Sequence, residues 1–244
     1  NPKGGHKFLI FREADYPGGV TKLPDEMPAK AFYSAEPGET LEVVAKKLGF
    51  TYLDTGAMYR ATAYTAIKNG IDVSDEVGVS EMLKTLTMDV VYEDGAQQII
   101  VNGFNTTPYL REHYMSKAAS DISALPCVRY KLVDIQRELA KTYDLVLDGR
   151  DIGTFVLPDA NCKIFLVASA EERAKRRVEE NRLKGQESDF DTILKDIKQR
   201  DYNDSHREVA PLKKADDAVE LDTTTMTIPE VVEAVISLVK EKIK

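Results

Sequence analysis

Cysteine and histidine are both scarce in this chain. Its two cysteines, Cys127 and Cys162, sit in unlike contexts, and with three histidines they make neither a disulfide framework nor a zinc site. Reduced thiols in a cytoplasmic protein are the expectation. No apolar run approaches the roughly 18 residues that a membrane-spanning helix needs, and no secretory signal is recognisable. The chain begins at Asn1 rather than at Met, which points to a fragment, a processed product or an imperfect gene call. Positive charge is also in deficit, and the net charge is -8. A polyanion such as DNA, or an anionic membrane surface, is therefore repelled overall. A small anion remains a fitting ligand, because a few clustered arginines can hold a phosphate in an acidic protein.

What is present is ordinary for a globular chain: 43% hydrophobic and 30% charged over 244 residues, room for one domain with an insertion or a small appendage. Residues 1 to about 31 are rich in Gly and Pro around one apolar run, Lys7 to Phe11, which reads as a strand. Beyond residue 41 helices and short apolar strands alternate. Strands are predicted over 49–54, 144–149, 163–169 and 217–222, and helices over about 57–69, 76–86, 170–184, 188–206 and 228–244. Residues 107–143 read as helices broken near Pro126, and 88–103 as a hairpin about Asp94-Gly95. The alternation predicts a parallel α/β sheet, and the hairpin region between 85 and 130 an inserted subdomain.

Four constellations bear on chemistry. In "LDGRDIG" (147–153) a buried strand ends and Arg150 and Asp151 follow at its carboxyl end, the edge where ligands bind in open parallel sheets. Arg150 can fork onto a phosphate while Asp151 fixes its neighbours; a surface salt bridge after a strand is the plain alternative. In residues 193–207, Ile193, Ile197, Arg200, Asp204 and Arg207 share one helical stripe that changes midway from apolar to charged. Such a stripe suits a helix leaving the core for a polar cleft, with Asp204 holding two guanidinium groups; an intrahelical ion-pair ladder fits as well. Arg173, Arg176 and Arg177 form a positive helix face that can neutralise a phosphoryl group in flight, although Glu171 and Glu172 beside them favour a solvated face. In "LDTGAMYR" (53–60) a strand turns into a helix, which Thr55 can cap and on which Arg60 lies; an ordinary strand–helix junction reads the same. His206 reads as a solvated helix residue.

Together and in this order, "YLDTGAMYR", "DGRDIGT.VLPDA", "KIFLVAS..ER..RR" and "RDYNDSHRE..PL..A.DA..LDTT" resemble the bacterial cytidylate kinases (CMP/dCMP kinases) over roughly Lys46 to Lys244. The resemblance implies a phosphate-loop nucleoside monophosphate kinase fold: a parallel sheet with helices on both faces and an inserted α+β substrate-binding subdomain at about 85–130, with a lid at about 170–190. It implies ATP as donor, Mg²⁺ carried by the nucleotide, no metal site of the protein's own, CMP or dCMP as acceptor, and a monomer that binds neither nucleic acid nor membrane. By the same resemblance Thr55 and Arg60 contact the monophosphate, Ser120 and Arg129 the cytosine, and Arg150 and Asp151 lie against the monophosphate. Arg200, Asp204 and Arg207 bind ribose, base and phosphate, and Arg173, Arg176 and Arg177 are lid arginines, grouped with Arg150 as catalytic.

The chain departs from that family at its amino end. A loop of the G-x-x-x-x-G-K-[ST] type is expected some 15 to 20 residues before "GFTYLDTG", yet no Gly-Lys dipeptide occurs anywhere. The expected Lys-Ser-Thr positions hold Pro37, Gly38 and Glu39. Residues 32–50 instead resemble the first half of a lysin motif, a glycan-binding module, so residues 1–45 are expected to be an atypical, loop-rich segment. The expectation is a retained acceptor pocket without a donor pocket, with CMP binding surviving and catalysis lost or severely reduced. The rival is a non-enzymatic binder, either of nucleotide or of glycan. Either Lys7 to Phe11 fills the central slot of the sheet, or that slot leaves a costly unpaired interior edge.

Overall fold

The computed structural model describes residues 8–12, 37–93, 96–111, 114–183 and 185–242. In chain order these form β1 (Phe8–Arg12), α1 (Pro37–Leu48), β2 (Thr51–Asp54), α2 (Thr55–Lys68), α3 (Glu76–Thr85), β3 (Met88–Glu93), β4 (Ala96–Val101) and β5 (Phe104–Asn105). There follow α4 (Met115–Ile122), α5 (Pro126–Thr142), β6 (Leu145–Asp148), β7 (Cys162–Val167), α6 (Ala170–Leu183), α7 (Phe190–His206), β8 (Val219–Asp222) and α8 (Ile228–Lys242). Two compact units result: Asn1–Tyr52 with Asp144–Lys244, and Leu53–Tyr143.

The first unit is built on a five-stranded sheet in the order β2-β6-β1-β7-β8. The apolar run near the amino end fills the central slot and continues to Arg12, one residue past its expected end; Lys7 lies outside the described residues. It pairs in parallel with β6, from Phe8 opposite Leu145 to Phe11 opposite Asp148, and with β7, from Leu9 opposite Cys162 to Arg12 opposite Phe165. The interior edge that the missing loop threatened is thus closed, and its backbone groups are paired. The segment 13–36 that follows β1, with the first residues of the lysin-motif-like stretch, lies outside the described residues.

On one face of this sheet α1 and α8 share a core. Leu41, Val44 and Ala45 of α1 meet Val231, Val235 and Val239 of α8, above Val146 of β6 and Cys162, Ile164 and Leu166 of β7. Each large apolar side chain buried this way stabilises by about 1.5–3 kcal/mol. Lys47 and Glu233 close the seam at 2.9 Å on the surface. Pro37 begins α1, a position where its missing N–H costs nothing and its fixed φ suits the helix. Pro37, Gly38 and Glu39, which hold the expected Lys-Ser-Thr positions, are thus in the first turn of a core helix.

In the second unit β3, β4 and β5 form an antiparallel sheet, with Met88 opposite Val101 and Glu93 opposite Ala96. The expected turn, Asp94-Gly95, lies outside the described residues. A second turn was not anticipated: Asn102 at φ 50° and Gly103 at φ 76° link β4 to β5. Positive φ at both central residues is the requirement of a tight hairpin turn, and Asn-Gly meets it with little strain. The break near Pro126 falls between α4 and α5, with Pro126 opening α5. Among the described residues no helix is long and apolar enough to cross a membrane.

Candidate active site

In the first unit the carboxyl end of β6 delivers Gly149, Arg150 and Asp151 directly into a five-residue π-helical segment, Ile152–Val156. The carbonyl of Asp151 accepts from the amides of Phe155 and Val156 at 2.9 and 3.2 Å, which anchors the turn. Helix α7 brings the second half. Its stripe is buried at Ile197 and again at Asp204, only 6% exposed. The apolar residues set the helix against the core, and the same face then carries its charges into the protein instead of into solvent.

Asp204 is the hub of the arrangement. Arg150 Nε donates to its Oδ2 at 3.3 Å and Arg207 Nη1 to its Oδ1 at 3.4 Å, while Arg200 Nε stands 3.9 Å from Oδ2. Arg207 also lies 3.7 Å from Asp151 Oδ1 and donates through Nε to the Ala210 carbonyl at 2.8 Å. Ala210 holds φ at 51°, a left-handed conformation that costs an alanine roughly 1 kcal/mol. That strain aims its carbonyl at Arg207. Sequence reasoning gave Asp204 two guanidinium groups, those of its own helix; the structure adds Arg150 from 54 positions away. Three guanidinium groups and two carboxylates leave these five side chains with one surplus positive charge, which favours an anion.

The arginines of α6 do not converge. Arg173 is buried, donating to the Ala168 carbonyl at 3.2 Å and to both carboxylate oxygens of Asp201 on α7. Arg176 donates to Glu172 and to the carbonyls of Thr223 and Thr224, at 3.3, 2.7 and 3.3 Å. Arg177 pairs with buried Glu180 at 3.4 Å. The focused positive face read from their spacing is divided, because α7, the end of β8 and α6 itself each supply a different acceptor. His206 is exposed, stacked on Tyr202 at 4.0 Å.

In the second unit the turn from β2 into α2 carries Thr55 and Arg60. Asp54, not Thr55, caps the helix: its Oδ1 accepts from the Ala57 amide at 3.0 Å. Both residue types favour caps, and the extended backbone at Asp54, φ -77° and ψ 98°, decides which one serves. Thr55 is then the first helical residue, buried at 3% exposure. The other carboxylate oxygen, Oδ2, accepts from Arg60 Nη2 at 2.7 Å. Ser120 is half-buried on α4 and Arg129 is buried on α5. They are tied through Ser123, whose hydroxyl donates to the Ser120 carbonyl at 2.8 Å and whose carbonyl accepts from Arg129 Nη1 at 3.1 Å. The Arg129 guanidinium also sits 5.6 Å from the centre of the Tyr59 ring. Asp54, Ser123 and Asp201 were missed in the sequence. Only Asp54 carried a signal there, as a cap-forming residue ahead of a helix.

The amino end of α1 is where the resemblance puts the triphosphate-binding turn. Pro37 has no N–H to donate there, and Glu39 follows within the first turn of the helix. Among the described residues no three His, Cys, Asp or Glu side chains are grouped to hold a metal ion.

Comparison with known proteins bears on the same segments. The cytidylate kinase family profile matches residues 38–241, so it takes in nearly all of α1. The chain is 46% identical to the cytidylate kinase of Lactobacillus johnsonii over 211 residues, 86% of this chain and 92% of that protein. It is 50% identical to the cytidylate kinase of Streptococcus pneumoniae over 198 residues, 80% of this chain and 87% of that one. A match of that extent, through both units, means that the chain belongs to the cytidylate kinase family.

Proposed function

We propose that this protein binds CMP or dCMP in the manner of a phosphoryl acceptor, the ancestral reaction being transfer of the γ-phosphoryl group of MgATP to give CDP or dCDP in pyrimidine nucleotide metabolism. The observation that carries the reading is the Asp204 hub, where three guanidinium groups share two carboxylates at the carboxyl end of a parallel strand. Arg150 and Asp151 lie against the monophosphate, with Arg200, Asp204 and Arg207 serving ribose, base and phosphate. By the family resemblance Thr55 and Arg60 serve the phosphate, and Ser120 and Arg129 the cytosine. The arginines of α6, Arg173, Arg176 and Arg177, would have to exchange their present partners to serve a phosphoryl group.

Catalysis by this chain is lost or severely reduced. The support is chemical: Pro37 and Glu39 stand where donor chemistry calls for amide donors and a lysine. Titration calorimetry with CMP and a coupled ADP-release assay, run beside the Lactobacillus johnsonii relative, test the two halves separately. CMP binding with turnover about a hundredfold or more below the relative is the expected result. Absence of CMP binding overturns the acceptor reading, and turnover matching the relative overturns the claim of impairment.

A further inference from the structure

One side chain outside the expected site reaches into the turn that carries Arg60. Strand β4 presents Ile99 and Val101 on its buried face, and the alternation of the strand puts Gln97 on that face too. A polar side chain at such a position is costly unless its amide is satisfied. Both ends of the Gln97 amide are spent on one residue of the β2–α2 junction. Its Oε1 accepts from the Asp54 amide at 2.8 Å, and its Nε2 donates to the Asp54 carbonyl at 3.2 Å. The side chain therefore grips the Asp54 residue through both of its backbone groups, as a neighbouring strand would.

The grip lands on the residue that sets Arg60. The two carboxylate oxygens of Asp54 divide between the Ala57 amide at 3.0 Å and Arg60 Nη2 at 2.7 Å. Little slack is left around that pair. A Cβ placed on Gly56 would come within 3.0 Å of Asp54 Oδ1 and 3.4 Å of Arg60 Nη1. Fixing the Asp54 backbone fixes its carboxylate, and the carboxylate fixes the guanidinium.

We propose that Gln97 is a positioning residue for the acceptor phosphate: its amide clamps the Asp54 backbone so that the Asp54 carboxylate holds Arg60 in one orientation. The proposal rests on Arg60 being a monophosphate contact, and the clamp itself is measurable without any ligand. Gln97→Met keeps the aliphatic stem on the apolar face and removes both hydrogen bonds, with Gln97→Ala as a second variant should the first fold poorly. ¹⁵N relaxation at Arg60 Nε in the ligand-free protein is the direct readout. The guanidinium is ordered in the parent and gains fast motion in the variant; equal order in both overturns the clamp. Calorimetry with CMP and with cytidine, which lacks the phosphate, gives the functional readout. CMP binding weakens about tenfold, as expected for a phosphate contact held out of place by two lost hydrogen bonds, while cytidine binding changes less than about twofold. Equal losses for both ligands reduce Gln97 to general support and overturn the positioning role. A parent that binds no CMP refutes the proposed function instead, and the relaxation measurement still decides the clamp.

Discussion

Replacing Asp204 by Asn tests the hub with the least change of shape. The carboxylate lies 3.3 Å from Arg150, 3.4 Å from Arg207 and 3.9 Å from Arg200, and at an effective dielectric constant of about 20 each contact is worth about 4–5 kcal/mol in gross Coulomb attraction. Most of that is cancelled by desolvation, and breaking a buried pair by removing one charge costs about 3–5 kcal/mol net. The lower end applies here, because the Arg200 side chain keeps 30% exposure and Asn retains an acceptor oxygen. A loss of about 3 kcal/mol lowers the melting temperature of a protein this size by about 6–12 °C. The cluster then loses one of its two described carboxylates and keeps Asp151, 3.7 Å from Arg207, so an added anion has more charge to neutralise. Thermal unfolding in a low-salt buffer, repeated with 20 mM phosphate as a chosen probe concentration of about that size, reads both effects. Phosphate should raise the melting temperature of Asp204→Asn more than that of the parent. A variant that melts within about 1 °C of the parent, with no added response to phosphate, refutes the hub.

Two further outcomes follow from charges away from that cluster. Lys163, buried in β7, donates to both carboxylate oxygens of Asp217 at 2.8 and 2.7 Å, and this bond holds the Asp217 carboxyl below its ordinary range. A depressed folded-state value stabilises above the ordinary carboxylate range and is lost as pH falls through the folded value, so Asp217→Asn should be less stable than the parent at neutral pH and converge with it in acid, checked by urea unfolding across pH. Burial pushes the Cys162 thiol up to about 11, which leaves about one part in a thousand as thiolate at pH 8. A disulfide reagent should therefore leave Cys162 untouched in the native protein and label it only in denaturant; rapid native labelling of both cysteines would contradict the packing of β7 beneath α1 and α8.

The elements were legible because their signals are local. The stripe from Ile193 to Arg207 needs only the helical period, and it predicted a charged face turned inward, which is how α7 lies. Short apolar runs marked β6 and β7 as buried strands, and Pro126 marked the start of α5. Pairing across the chain was not legible. Nothing in the neighbourhood of Arg150 announces Asp204, and nothing near Gln97 announces Asp54, 43 positions away. Adjacent cap-formers, Asp54 and Thr55, left the start of α2 undecided by one residue, and only backbone geometry chose between them. The Asn102-Gly103 turn was readable from its dipeptide, but the hairpin reading stopped at its first turn.

Charge balance separates two sets of arginines that look alike in the sequence. On α6, Arg173, Arg176 and Arg177 each have a carboxylate partner, Asp201, Glu172 and Glu180, and the three pairs are neutral. Recruiting any of them to an anion means giving up an ion pair that is at least partly buried, and stranding a carboxylate there is costly. At the Asp204 hub three guanidinium groups stand around two described carboxylates, Asp204 and Asp151. The two sets therefore differ in what a ligand must do before it binds. Under the proposed function an acceptor monophosphate would meet guanidinium groups already gathered, whereas an anion approaching α6 must first compete with the protein's own carboxylates. If the proposed function holds, acceptor binding is the part of the reaction that these residues favour on their own, and rearrangement at α6 is the part that needs binding energy from elsewhere.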